Sequence, residues 1–155
     1  MTQPVRLAHR PSTALAVVRR QAHQTELCRL VPELCGRVWN ALKAQHARGG
    51  RHIAVYWDGM ITVEAGVELP GAFTDTNDVV HSATPAGLVA STTHFGPYAG
   101  LAAAHNAVRR WCEAQGHTLA GPSWEIYGHW SPEWNADPSR IETEVCWLVS
   151  SSDRV

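Results

Sequence analysis

The chain is short of charge. Of its 155 residues 17% are Asp, Glu, Lys or Arg, and the formal net charge is -1. There is no surplus of Lys and Arg, so the electrostatic footprint that nucleic-acid binding needs is missing, and direct contact with DNA or RNA is not expected. No apolar run approaches the roughly 20 residues of a membrane span. The opening stretch "MTQPVRLAHR" lacks the apolar core of a signal peptide. These absences make a cytoplasmic protein without a membrane partner the expectation. Cysteine is present four times, at 28, 35, 112 and 146, but never as Cys-x-x-Cys or with His at zinc spacing. Nine histidines are scattered along the chain. Neither a metal nor a cofactor is expected, and Cys35, Cys112 and Cys146 read as buried free thiols within two helical patterns and one strand pattern.

What is present is a globular composition with one outlier. Hydrophobic residues make up 45% of a chain long enough for one domain with a real core, taken as residues 1–155. Phe occurs twice and Tyr three times, whereas Trp occurs seven times, at 39, 57, 111, 124, 130, 134 and 147. Tryptophan fills cores, and it also forms walls for flat or cationic organic ligands.

The chain repeats itself. "RLAHRPSTALAVVRRQA" reads as a strand, and "LVPELCGRVWNALKAQHARGG" as a helix with Leu34, Val38 and Leu42 in a stripe. Pro32 suits the first turn of that helix and Gly49-Gly50 its exit. "RHIAVYWDGMITVEAGVEL" then gives two alternating runs about Asp58-Gly59, a hairpin signal. In the second half "TPAGLVASTTHF" is a strand and "GPYAGLAAAHNAVRRWCEAQG" a helix carrying Leu101, His105, Val108 and Cys112 on one face, with Gly116 as its cap. "SWEIYGHW" and "IETEVCWLVSS" follow as strands joined by "SPEWNADPSR". Pro11 falls on Pro85, Val38 on Val108, Tyr56 on Tyr127 and Glu64 on Glu144, a duplication at a separation of roughly 70 to 80 residues. Repeat one covers about 5–70, a linker about 71–82 and repeat two about 83–150. The fold expected is α+β: duplicated β-α-β-β units forming an antiparallel sheet, both helices on one face, and a ligand cleft at the pseudo-twofold seam on the other.

Strand alternation assigns faces. Thr143, Val145, Trp147 and Val149 share one face of the last strand and Glu142, Glu144, Cys146 and Leu148 the other. The bulkier apolar sets are placed toward the helices, Trp124 and Ile126 with them. This leaves Glu125, Tyr127 and Glu144 on the helix-free face, with Tyr56, Glu64 and Glu68 matching them in the first half. A carboxylate on an outer sheet face is ordinarily solvated, and Glu64 and Glu68 read that way. Glu144, next to Cys146 and Leu148, is a candidate for partial burial, either as a proton acceptor or as a counter-charge for a cationic ligand.

The order of "HFGPY" at 94–98, "EIYGHW" at 125–130 and "TEVCWLV" at 143–149 within this duplicated pattern resembles the GyrI-like small-molecule-binding domains. These share a SOUL/GyrI-type fold and also serve as the effector-binding half of multidrug-responsive regulators of the BmrR and AraC types. The resemblance covers about Val5 to Ser150. It implies a cleft between the repeats in which a glutamate of the last strand, here Glu144, meets a lipophilic, aromatic or cationic compound. Tyr127 and its counterpart Tyr56 stand beside it, with Trp57, Trp130 and Trp134 as walls or lids and Trp39 near either cleft or core. The stretch "HWSPEWNADPSR" reads as a flap over the cleft or as plain connection. No helix-turn-helix precedes Val5, so a complete regulator is not expected.

Three functions follow. One is a stand-alone protein that captures such a compound, in xenobiotic sensing or resistance. Another is a hydrolase of reactive cyclopropane-bearing genotoxins, with Glu144 as general base and Tyr127 as positioner or proton donor. The third, least supported by the charge pattern, is a protein-binding module, such as a toxin antagonist acting on gyrase. Oligomeric state and natural ligand are not legible.

Overall fold

The computed structural model describes residues 3–58, 62–129 and 131–150. They form two compact units: one joins the chain up to Pro11 with the chain from Ala86 onward, and the other is Ser12–Pro85. Each is an antiparallel four-stranded sheet with one long helix, so the α+β class and the antiparallel pairing of the sequence reading both hold.

In the Ser12–Pro85 unit the elements are β2 (Ala14–Gln21), α1 (Leu27–Ala44), β3 (His52–Tyr56), β4 (Thr62–Glu68) and β5 (Val80–Ala83). The sheet order is β3-β4-β2-β5. Helix α1 buries Leu27, Val31, Leu34, Cys35, Val38 and Leu42, the three- and four-residue steps of one stripe. It begins earlier than the proline signal suggests, so Pro32 lies inside it. The carbonyl that Pro32 leaves unbonded belongs to Cys28, an exposed residue where water can serve it. The helix also ends before Gly49-Gly50: His46 takes the left-handed backbone with φ 54°, and Ala47 N–H bonds back to Leu42 O at 2.9 Å. At the β3–β4 connection Asp58 receives the Thr62 N–H at 2.7 Å and the Thr62 hydroxyl at 3.0 Å. Gly59, expected at the tip of this turn, lies outside the described residues, as do Met60 and Ile61.

The other unit holds β1 (Arg6–Arg10), β6 (Gly87–Phe95), α2 (Leu101–Ala114), β7 (Leu119–Tyr127), the short α3 (Glu133–Ala136) and β8 (Glu142–Val149). Its order is β1-β6-β8-β7. Helix α2 packs on β6 and β8. Leu101, Ala104, Val108 and Cys112 meet Ala90, Val145 and Val149 there, with Trp147, Trp111 and Tyr127 at the margin. Gly116, with φ 78°, ends the helix as expected, and His117 N–H reaches Cys112 O at 2.8 Å.

Two expectations change. "RLAHRPSTALAVVRRQA" is two strands, because Pro11 interrupts the ladder; β1 pairs with β6, whereas β2 pairs with β4. The stretch expected to be a linker carries β5, which pairs with β2. The segment ahead of each repeat's first long strand therefore joins the sheet of the other repeat. Among the described residues no helix is long and apolar enough to cross a membrane.

Candidate functional site

The register of β8 fixes the faces of the unit that contains it. Tyr127 pairs with Thr143, Glu125 with Val145 and Ser123 with Trp147, and all of these lie on the side of α2. Ile126 pairs with Glu144 and Trp124 with Cys146, on the face turned away from α2, here the distal face. Glu144 is distal as expected, but Tyr127 and Glu125 are not. The same holds for Tyr56, which pairs with Val63 and is buried at 4% exposure, while Glu64 pairs with Val55 on the opposite face. Assigning faces by apolar bulk fails because both faces are covered. Trp124, Val89, Ser91 and Cys146 on the distal face are all buried.

The carboxylate on the α2 side is admitted because it is fully bonded. The Tyr127 hydroxyl donates to Glu125 Oε1 at 2.5 Å, and His105 Nε2 lies 2.6 Å from Glu125 Oε2. Trp147 Nε1–H donates to His105 Nδ1 at 3.0 Å. An indole N–H can only donate, so Nδ1 accepts and the ring hydrogen sits on Nε2, aimed at Glu125. Arg109 stands 5.7 Å over the Trp147 ring, and Tyr98 meets Tyr127 edge-on at 5.7 Å. Tyr127 is thus engaged beneath the helix and does not stand beside Glu144.

On the distal face Glu144 is half-buried and holds a partner from β1. Arg10 Nη1 donates to Glu144 Oε1 at 3.1 Å and Arg10 Nη2 to Glu144 Oε2, a two-pronged ion pair. Nη2 also donates to Ser91 Oγ at 3.0 Å, and Nη1 lies 3.7 Å from Cys146 Sγ. The bond to Glu144 raises the Arg10 pKa above its ordinary value, against the opposing effect of burial. Glu142 occupies the same face two residues along β8, about 7 Å away by strand geometry. Opposite it is Phe95. Phe95, Trp134, Ser139, Arg140 and Glu142 line an open cavity of about 530 Å³. Trp134 is buried by folding α3 back onto Gly128, where an added Cβ would stand 3.1 Å from its ring. The flap reading of this stretch thus meets an ordered element whose tryptophan forms a cavity wall.

The remaining sequence candidates divide. Trp57 donates its Nε1–H to Glu64 at 2.8 Å. Glu64 is not solvated as expected: it is 5% exposed, receives Ser82 Oγ at 2.5 Å and has Arg19 at 3.8 Å. Trp39 is exposed on α1 and touches His52 edge-on at 6.1 Å, on the helix side of its unit. Trp124, expected beneath the helix, is distal and buried. Trp130 lies outside the described residues. In the "HFGPY" turn His94 Nε2 is 3.1 Å from Pro97 O, and its ring fills the space beside Gly100, where a Cβ would come within 2.7 Å. Arg10, Ser91, Phe95 and Glu142 were missed. Only the alternation of Thr93 and Phe95 opposite Glu144 and Glu142 signals Phe95. Arg10 has no local signal, because its place depends on β1 pairing with β6.

Comparison with known proteins agrees with this architecture. The sequence profile described as GyrI-like small molecule binding domain matches residues 3–150. No curated protein sequence matches the chain. Among solved structures, the EcmrR C-terminal domain superposes with a TM-score of 0.77 at 20% identity, covering 95% of this chain and 97% of that one. SAV2435 bound to tetraphenylphosphonium gives 0.69 at 11% identity, covering 97% and 96%. A hydrolase from Listeria innocua gives 0.60 at 13%, covering 94% and 91%. At these identities the likeness is one of fold.

Proposed function

Because the chain belongs to the GyrI-like small-molecule-binding domain family, we propose that it captures lipophilic aromatic compounds, cationic ones included, on the distal face around Glu144, in sensing of or resistance to foreign compounds. One observation carries this reading: a half-buried carboxylate, Glu144, on the same strand face as a cavity walled by Phe95 and Trp134. Ring faces supply stacking, and a cation over such a ring gains about 2 kcal/mol where water is excluded. A bound tetraphenylphosphonium in a protein of like fold supplies the probe.

The hydrolytic alternative pairs Glu144 as general base with Tyr127 as positioner or proton donor. The two project from opposite faces of the sheet, and the Tyr127 hydroxyl is bonded to Glu125. Nothing in the geometry favours that reading.

Isothermal titration calorimetry with tetraphenylphosphonium tests the proposal. Glu144→Gln removes the carboxylate charge and leaves Arg10 uncompensated, so affinity should fall at least about tenfold, or ~1.4 kcal/mol. Tyr127→Phe, changed on the other face, should stay within about twofold. Equal affinity for wild type and Glu144→Gln, or a loss confined to Tyr127→Phe, contradicts the proposal.

A further inference from the structure

Arg10 is the side chain that no motif anticipates, and its placement is specific. It ends β1 opposite Gly87, the first residue of β6. From there its side chain reaches along and across β6 to β8, where Ser91 and Cys146 are paired. Its guanidinium then bonds Glu144 through both terminal nitrogens and rests on Ser91 Oγ and Cys146 Sγ. Ser91 and Cys146 are buried, and the Arg10 and Glu144 side chains are 31% and 25% exposed. The pair is thus screened from water, though its outer edge remains reachable.

A carboxylate held this way is not an open anion. Its charge is cancelled by a cation tethered to the same chain at an effective concentration in the millimolar range or above. A quaternary cation has no N–H to replace the two charge-assisted bonds, so it gains the full attraction of Glu144 only by displacing Arg10. A neutral compound of the same shape meets no such competitor and is read by Phe95 and Trp134 alone.

We propose that Arg10 is the specificity-determining residue of this site: an internal counter-cation that competes with cationic ligands for Glu144 and lets neutral aromatic compounds bind on nearly equal terms. This rests on the small-molecule reading of the distal face given above. It adds that the native charge preference is set by the pair rather than by the glutamate.

The test titrates tetraphenylphosphonium and neutral triphenylphosphine oxide into wild type, Arg10→Met, Glu144→Gln and the double variant. Arg10→Met should bind the cation at least about tenfold more tightly than wild type and the neutral compound within about threefold. The double variant should lose that gain. Arg10→Lys keeps the charge but not the two-pronged geometry, so it should gain less than Arg10→Met; it also serves if Arg10→Met melts too low to titrate. Wild type that binds the cation, with Arg10→Met and Arg10→Lys no tighter, overturns the role of Arg10 and leaves the binding site standing. A gain that survives in the double variant also overturns it, because the gain would then not pass through Glu144. Failure of every protein to bind either compound overturns the small-molecule reading itself.

Discussion

Replacing Glu125 with Gln tests a buried carboxylate on the α2 side. Glu125 is 5% exposed and accepts from the Tyr127 hydroxyl at 2.5 Å and from His105 Nε2–H at 2.6 Å. The carboxamide oxygen can accept from His105 Nε2–H while its N–H₂ donates to the Tyr127 hydroxyl, which then turns its own hydrogen away. Both charge-assisted bonds become neutral ones. Losing the charge assistance costs about 1 kcal/mol for each bond, roughly 2 kcal/mol in total. For a chain of this size each kcal/mol moves the melting temperature by about 2–4 °C, so Glu125→Gln should melt about 6 °C below wild type by calorimetry. Nitrogen NMR of His105 checks the cause: the ring hydrogen should be on Nε2, because Nδ1 accepts from Trp147. A melting temperature within about 2 °C of wild type, or a ring hydrogen on Nδ1, would refute the network as drawn.

Two further outcomes follow from the same side-chain environments. Burial pushes the Cys35 thiol up to about 12, against the lowering effect of its backbone hydrogen bonds, while Cys112 is raised by burial and Cys28 is exposed. A thiol reagent at pH 8 should therefore titrate one cysteine promptly in the native protein and all four in denaturant; prompt reaction of Cys35 would contradict its burial. The Asp78 carboxyl is held below the usual carboxylate range by Arg20 first and by Arg37 second, each at 3.0 Å. Its folded-state pKa is depressed, so its contribution to stability is present above about pH 4 and is lost as pH falls through the folded-state value. The carboxyl is well exposed, so the effect is small. Asp78→Asn should lower the melting temperature by a few degrees at pH 7 and by less at pH 3, and a difference that grows at pH 3 contradicts the assignment.

Much of the fold was legible because helix and strand periods differ so clearly in this chain. The α2 stripe of Leu101, His105, Val108 and Cys112, its cap at Gly116 and the strand nature of β6 and β8 were all readable. So was the half-burial of Glu144, since its same-face neighbours Cys146 and Leu148 are apolar. Two kinds of information were not local. The exchange of β1 and β5 depends on pairing across more than sixty positions of sequence, as in Arg6 with Ser91 or Val17 with Val80. No pattern within "RLAHR" reports it, and Arg10 was therefore missed. The faces of β7 were misassigned because Trp124 and Ile126 outweigh Glu125 and Tyr127 in apolar bulk. What decides the matter is hydrogen bonding: His105 and Tyr127 satisfy the Glu125 carboxylate, which makes its burial tolerable. The same blindness made Glu64 look solvated, although Trp57 and Ser82 bond it.

The central claim is that ligand is held on the distal face beside Glu144. Titrating tetraphenylphosphonium into isotope-labelled protein and mapping the NMR shifts tests it most directly. The Trp134 indole N–H, the Phe95 ring and the Glu144 and Arg10 signals should move together and saturate with one dissociation constant, while Tyr127, His105 and Trp147 Nε1–H stay in place. Saturable shifts confined to Tyr127, His105 and Trp147, with Glu144 and Trp134 unmoved, would contradict it.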